Sequence, residues 1–355
     1  MEGEKGLRVK FRDAQSFLRG CDLGIAYVII SHGRTCGCMR VRRDCVEEIC
    51  REFLLSGIRE VTPFGDGHVN ETFLVKTGEG RYVCQHVRKA MDIGILEHNY
   101  LLYSKSCREA DWPCPAWMNT REGAYFYTDG SGEHWRMYPL IEGEVRAMPL
   151  SDEELFACGQ GLGKMHQILQ TLSEKPCAVY PMLHDLGHYY ERYSNLFHGG
   201  SLLEGQRDPV LEDLIRSKID GFLKLRLRKD HVIHGDPKLA NVLFQNGKVK
   251  ALIDLDTVMQ GSLLEDVADC IRSCCIREGR LDGPSAKLLI QGYQSAENGL
   301  LSPEEIRLLP KVTEKICIEL GLRYYTDSIS ENKSFREKYP GYLHEKAKSN
   351  LMVGL

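Results

Sequence analysis

The sequence predicts an α+β protein of two lobes, a small antiparallel-sheet lobe followed by a larger, mainly helical one. Three observations carry that expectation. Between Val61 and Leu140, short β-branched and aromatic runs alternate with Gly-rich turns, which is strand-and-hairpin patterning. After Ser151, apolar residues recur three and four apart, the period of a buried helix stripe. The length, 355 residues, is too great for one small core and suits two lobes.

Composition narrows the class. Apolar residues make up 43% of the chain, enough for substantial cores. Lys+Arg number 46 against 50 Asp+Glu, a formal charge of -4, so no basic bias recommends a nucleic-acid partner. The longest apolar run near the N-terminus, Leu23 to Ile30, is too short to span a bilayer. It follows a mixed-charge segment unlike a signal peptide, so a cytoplasmic chain without a membrane partner is expected. The 14 cysteines sit largely inside apolar patterns, as at Cys84, Cys158, Cys270 and Cys274, where a free thiol acts as a small hydrophobe. The cluster Cys36, Cys38, Cys45 and Cys50 matches no common zinc finger. No feature specifies an oligomeric state.

The elements follow in order. Residues 1–43 mix charges, Gly and Cys with weak periodicity and read as an extension of no assigned role. The first lobe is 44–142. Asp44 is placed to cap a helix with Val46, Ile49, Cys50, Phe53 and Leu54 on one face, ended by Gly57. Val61 to Phe64 runs into a turn at Gly65-Asp66-Gly67-His68, and Thr72 to Lys76 leaves it as a strand. Small residues there let backbone N–H groups approach phosphates, although ordinary hairpins use Gly equally well. Gly78 and Gly80 make the next turn, and Arg81 to Val87 is a third strand without a lysine; Arg88 and Lys89 follow it. A helix from about Ile93 to Cys107 carries Glu97 and stops before Trp112-Pro113-Cys114-Pro115, since Pro lacks a donor. Ala124 to Thr128 and Trp135 to Leu140 are two strands around a turn at Asp129 to Gly132.

The second lobe is 143–355. Ser151 and Glu154 fit a capping box, and Leu155, Cys158, Leu162, Met165 and Leu169 form the stripe of the helix behind it. Gly159, Gly161, Gly163 and Lys164 imitate a phosphate loop, but the spacing is wrong and Met165 stands where a hydroxyl residue belongs, so they read as close helix packing. Asp266 to Arg272 begins a core helix. Ser302-Pro303-Glu304-Glu305 caps another, with Pro at the tolerated first position. Leu320 to Ile329 carries Arg323, Tyr324 and Asp327, whose Arg and Asp have the spacing of an exposed helix pair.

Function concentrates in His231 to Gly261. Val232-Ile233 ends a short buried strand, and a polar loop follows with His234, Asp236, Lys238 and Asn241. Asn246-Gly247 is a strong hairpin signal, because both turn positions need positive φ. The returning strand, Val249 to Ile253, then delivers Asp254 to the loop holding Asp236 and Asn241. Carboxylate and amide oxygens are hard ligands that suit Mg2+. Phosphoryl transfer needs such an ion at the nucleotide phosphates and a carboxylate to take the acceptor's proton. Asn241 and Asp254 are therefore expected to bind metal and Asp236 to act as the base or orienting carboxylate for the acceptor's hydroxyl. By its resemblance to the His of the protein-kinase His-Arg-Asp motif, His234 should brace the loop, and Asp256 should add a metal contact or one just behind it.

HGDPKLANVLF resembles the catalytic loop of the aminoglycoside phosphotransferase and choline kinase superfamily, which has a bilobal protein-kinase-like fold. IDLDTVMQG resembles the metal-binding segment of its N-acetylhexosamine 1-kinase branch. The resemblance begins near Cys45. It implies ATP and Mg2+ as cofactors and a glycine loop at Gly65, Gly67 and His68, since His68 to Val75 continues as in that branch. It also implies that Glu97 is the helix partner of a phosphate-binding strand residue. The branch tends to have Gln-Arg where kinases have Lys; here Gln85, His86 and Arg88 are the alternatives. MYPLIEG resembles the interlobe hinge, which puts Tyr138 and Leu140 beside adenine. His184 and Asp185, and Arg323, Tyr324 and Asp327, resemble segments bordering the sugar pocket. The implied reaction phosphorylates the anomeric hydroxyl of a hexose or N-acetylhexosamine. An aminoglycoside, choline or homoserine acceptor, or a nucleotide-binding pseudokinase scaffold, are the alternatives.

Overall fold

Helix α1 (Cys38–Glu52) opens earlier than expected, so Asp44 lies inside it rather than at its cap. The computed structural model describes residues 38–65, 71–199, 201–296 and 300–354. Arg42–Leu355 form one compact unit. Gly67 and His68, and Cys36 of the cysteine cluster, lie outside the described residues.

The first lobe is an antiparallel sheet of β1 (Glu60–Pro63), β2 (Glu71–Lys76), β3 (Arg81–Val87), β4 (Tyr127–Thr128) and β5 (His134–Pro139), with α2 (Ile93–Glu109) between β3 and β4. The strands lie in the order β1-β2-β3-β5-β4. Val46, Ile49 and Cys50 of α1, with Phe53 just after it, bury one face of the sheet, against Phe73, Val75, Cys84, Trp135 and Met137. Successive strand residues point to opposite faces. Gln85 and Arg136, which pair in register across β3 and β5, therefore face the second lobe. Strand β4 is shorter than expected, because Thr120 N donates to Ala124 O and Ala124 N to Thr120 Oγ1, closing a local turn in place of a ladder. Asp92 caps α2, accepting from the Gly94 and Ile95 amides.

The second lobe starts with β6 (Glu144–Val145), then α3 (Asp152–Leu169), α4 (Leu186–Gly199) and α5 (Pro209–Leu223). Next come β7 (His231–Ile233), β8 (Val242–Gln245), β9 (Lys248–Leu252), β10 (Met259–Gly261) and α6 (Leu263–Cys275). A small ribbon, β11 (Ile276–Arg277) and β12 (Arg280–Leu281), leads to α7 (Gly283–Ser295), α8 (Pro303–Ser328) and α9 (Tyr342–Leu351). Both capping boxes form, Ser151 with Glu154 and Ser302 with Glu305. Gly159 and Gly292 let α3 and α7 touch backbone to backbone. A Cβ at Gly159 would stand 1.8 Å from the Leu289 carbonyl, and one at Gly292 2.0 Å from that of Phe156. The glycine-rich stretch is thus a helix contact. No helix among the described residues is long and apolar enough to cross a membrane.

The site is carried by two small ribbons. Strands β8 and β9 pair antiparallel around Asn246 (φ 53°) and Gly247 (φ 74°), and β6 adds to their edge. Strand β7 pairs with β10. The loop from β7 to β8 and the loop from β9 to β10 therefore emerge side by side.

Candidate active site

The loop after β7 hangs from one buried carboxylate. Asp266, on the first turn of α6 and 0% exposed, accepts from His234 N at 2.7 Å and Gly235 N at 2.9 Å. It also meets His166 Nε2 at 2.9 Å, while His166 Nδ1 lies 2.8 Å from the Tyr293 hydroxyl. Burial pushes the Asp266 carboxyl up, yet the His166 hydrogen bond and the neighbouring imidazoles hold it below the usual carboxylate range. Gly235 has φ +86°, and a Cβ there would stand 2.5 Å from the Thr257 carbonyl, so only glycine fits.

His234 braces the two loops against each other. Its Nε2 donates to Ile253 O at 3.1 Å and its Nδ1 accepts from Asp236 N at 3.3 Å. Those partners assign a neutral imidazole, and burial lowers its pKa further. Asn241 Nδ2 donates to Asp236 O at 2.9 Å and to Asp236 Oδ2 at 3.2 Å. Its backbone carbonyl accepts from Ile253 N at 2.9 Å, which sets Asp254 beside it. The Lys238 ammonium also holds Asp236 Oδ2. Asp236 Oδ1 makes no hydrogen bond among the described residues.

Asp254 adopts a left-handed conformation, φ 65° and ψ 56°, which a short polar side chain tolerates better than most. Burial and the nearby Asp256 push its carboxyl up to about 6, with Lys238 and Arg136 pulling the other way. A buried, under-compensated carboxylate next to an amide oxygen whose nitrogen is already engaged is a fitting pair of ligands for Mg2+. Among the described residues no three His, Cys, Asp or Glu side chains converge on one point. Two protein ligands is a number Mg2+ commonly takes before phosphates and water complete its shell.

Asp256 is buried two residues beyond Asp254. Both its oxygens turn to Arg136, at 2.6 Å from Nη1 and 2.6 Å from Nη2. Arg136 in turn donates from Nε and Nη2 to Gln85 Oε1, at 2.9 and 2.6 Å. Sequence reasoning missed Arg136, because only the β3–β5 register joins it to Gln85 across 51 positions.

On the nucleotide side, Gly65 lies in the left-handed region, φ +75°. The Arg88 guanidinium reaches Ser334 O at 3.4 Å, bridging the first lobe to the C-terminal segment. Glu97 is partly buried on α2 and makes no ion pair among the described residues, so the expected strand partner is missing. Tyr138, pushed up in pKa by burial, lies close enough to Asp254 and Asp256 to feel their charge. Leu140 N donates to Arg81 O at 2.9 Å, which uses its amide within the sheet's edge.

The acceptor side corrects two expectations. His184, at φ 59°, is buried, with Nδ1 3.2 Å from Glu319 Oε1 and Nε2 3.1 Å from Gly235 O. Both partners are acceptors, so both nitrogens carry hydrogen and neither is free for a substrate. Lys315 completes the cluster, donating to His184 O at 3.1 Å, Glu265 Oε1 at 2.6 Å and Glu319 Oε2 at 3.2 Å. Asp327 is 0% exposed; Oδ1 accepts from Arg192 at 2.6 Å, and Oδ2 from the Ser334 and Phe335 amides at 2.7 Å each. It anchors the segment after α8 instead of pairing with Arg323 or meeting a ligand. Asp185 accepts from His188 N at 3.0 Å, capping α4. Arg323 and Tyr324 do form a wall: the guanidinium lies 4.7 Å from the Tyr189 ring and 5.1 Å from that of Phe335, and Tyr324 stacks on Phe335 at 4.4 Å. Arg323 has no ion pair among the described residues, and Tyr324 lies near enough to Asp236 and Lys238 to feel their charge.

The His184 cluster predicts a pH response. Burial pushes that imidazole down, but Glu319 overcomes it and raises the pKa to about 9. The folded chain therefore keeps a proton that the unfolded imidazole loses near pH 6.5. The stabilisation is full below about pH 6.5 and is lost as pH rises through about 9. Its size is on the order of 3 kcal/mol. Melting temperature should fall from pH 7 to 9, and fall less in His184→Gln; parallel profiles for the two proteins would refute the assignment.

Comparison with known proteins bears on the family and the fold. The sequence profile described as "Phosphotransferase enzyme family" matches residues 60–298. A homoserine kinase of Gluconobacter oxydans (strain 621H) is 35% identical over 99 residues, 28% of this chain and 31% of that kinase, so the match spans about a third of the relative's length. Among solved structures, an amicoumacin kinase in complex with AMP-PNP, Ca2+ and Ami superposes with a TM-score of 0.61 at 13% identity, covering 88% of this chain and 95% of that one. A microcompartment-associated aminopropanol kinase gives 0.62 at 15% identity, with the same coverage of 88% and 95%. A thermostable mutant of an aminoglycoside phosphotransferase, in ternary complex with ADP and hygromycin B, gives 0.55 at 13% identity, covering 87% and 98%. The shared architecture is the two-lobed, protein-kinase-like α+β fold.

Proposed function

This chain belongs to the phosphotransferase enzyme family, and from that premise we propose that it transfers the γ-phosphoryl group of ATP to a hydroxyl of a small acceptor. The observation that carries the reading is the meeting of Asp236, Asn241 and Asp254 where two loops emerge together. Asp236 Oδ1 points free of protein partners and takes the proton of the attacking hydroxyl. Lys238 and Asn241 hold the other oxygen, which fixes the carboxylate's orientation. The Lys238 ammonium, close to both Asp236 and Asp254, offsets charge on the phosphoryl group in flight. Asn241 Oδ1 and Asp254 would hold Mg2+, which when bound neutralises the phosphate oxygens. Asp254→Ala is expected to weaken MgADP binding by at least about tenfold in calorimetry; an unchanged affinity would remove it from the metal site. Action in the cytoplasm, where ATP is present, belongs to the same reading.

The leading acceptor is a hexose or N-acetylhexosamine, phosphorylated at its anomeric hydroxyl, as the branch resemblance implies. The rings of Tyr189, Tyr324 and Phe335 suit the apolar face of a sugar. A second reading is a hydroxylated amino acid such as homoserine. The unpaired Arg323 guanidinium favours it, being matched to a carboxylate, and so does the homoserine kinase similarity. The same cation disfavours choline and aminoglycosides by repulsion. ADP release should be measured with N-acetylglucosamine, N-acetylgalactosamine, galactose, homoserine, choline and kanamycin. An amino sugar is expected to turn over to an acid-labile 1-phosphate, identified by phosphorus NMR. Turnover of homoserine alone would select the second reading. ADP binding without any turnover would select a scaffold.

A further inference from the structure

A phosphotransferase of this fold normally ties its nucleotide strand to a helix glutamate through a lysine, and that ion pair must be in place for activity. That ion pair is absent among the described residues of this chain. Strand β3 holds Gln85 and no lysine, and Glu97 on α2 has no cation partner among the described residues. On the same face of the sheet, one strand over, stands Arg136. We infer that Arg136 is a positioning residue: its guanidinium locks Gln85 of β3 to Asp256, and so holds Asp254, two residues away, in the conformation that takes the metal. The inference rests on the phosphoryl-transfer reading and adds to it the device that joins the two lobes.

Four observations support it. The Arg136–Asp256 pair is a two-pronged fork at 2.6 Å on each side, with the residues 3% and 6% exposed. Such a fork fixes direction as well as distance, which a lysine's point charge does not. The Gln85 carbonyl oxygen takes two further donors of the same guanidinium, so β3 cannot shift without breaking the fork. The Trp117 ring lies 4.8 Å from the guanidinium and closes one side of it. Finally, Asp254 sits in a left-handed conformation that needs to be held by its surroundings: Ile253 anchors it on one side through Asn241 O and His234, and Asp256 is the side-chain anchor on the other. A buried ion pair adds little net stability over a well-packed apolar pair, so its role here is geometric. The other nearby cations are engaged elsewhere: Arg88 reaches Ser334 O, and Lys238 holds Asp236.

The test separates metal from nucleotide. ADP affinity is measured by calorimetry with and without Mg2+ for the full chain, Arg136→Gln, Asp256→Asn and the double variant, each checked for cooperative melting. In the wild type Mg2+ should tighten ADP binding. Each single variant should lose about tenfold or more of that metal-dependent gain, with metal-free ADP affinity within twofold of wild type. The double variant should be no worse than the poorer single, since both break one strut. An unchanged metal-dependent gain in folded Arg136→Gln overturns the inference. So does an equal loss of metal-free affinity, which would put the guanidinium on the phosphates themselves. If Arg136→Gln does not fold, Arg136→Lys serves, keeping the charge but not the fork; a full metal-dependent gain there overturns the proposal. A wild type that binds no ADP under either condition removes the parent reading, and this one falls with it.

Discussion

Asp236→Asn is expected to lower turnover by about a thousandfold, within the span that positioned proton acceptors contribute. The change is close to isosteric. An amide oxygen still accepts from Lys238 and Asn241, so the loop keeps its shape. What disappears is a group able to take a proton from the acceptor hydroxyl. Nucleotide binding should change little, because the proposed metal ligands are Asn241 and Asp254. The measurement is kcat at saturating ATP and acceptor, paired with the MgADP dissociation constant. Turnover within threefold of wild type would strip Asp236 of the role. A large loss of MgADP affinity would instead move it into the metal site.

Asp266→Ala should be the most damaging change to stability, at a cost on the order of 3–5 kcal/mol. One carboxylate serves His234 N, Gly235 N and His166 Nε2, and all of them are buried. Alanine leaves these donors without acceptors and without water, and each orphaned donor costs about 1–3 kcal/mol. Total folding stability of a domain is only about 5–15 kcal/mol, so the variant should unfold at much lower urea with an unchanged slope. Where it still folds, turnover should fall as well, since the loop carrying Asp236 has lost its anchor. A cost below about 1 kcal/mol would mean that the Thr257 hydroxyl on His234 O and the Ser273 hydroxyl on Leu239 N hold the loop unaided.

Much of this is written locally in the chain. The reversal at Asn246-Gly247 is legible because two adjacent positions need positive φ, and both have it. The two capping boxes are legible because three-residue spacing alone defines them. The pairing of α3 with α7 is half legible: the glycines announce a close approach, but not that the Leu289 and Phe156 carbonyls are what approach them. Asp327 misled because helix spacing suggests a pair with Arg323 and is blind to Arg192 and the Ser334 and Phe335 amides. His184 misled in the same way, since Glu319 and Lys315 come from a helix more than a hundred residues later.

By itself, then, the amino-acid order determined most of the strands and turns, the two capping boxes and the run of residues from His234 to Asp256 that marks the family. Each of these depends on neighbours within a few positions, where backbone preference and side-chain periodicity act directly. Tertiary structure alone decided which charges meet. Arg136 reaches Asp256 across 120 positions, and Asp266 lies 32 positions from His234. A guanidinium or a carboxylate has no preferred partner in sequence; it takes the opposite charge that folding buries beside it, because leaving it unpaired away from water costs far more than any local preference.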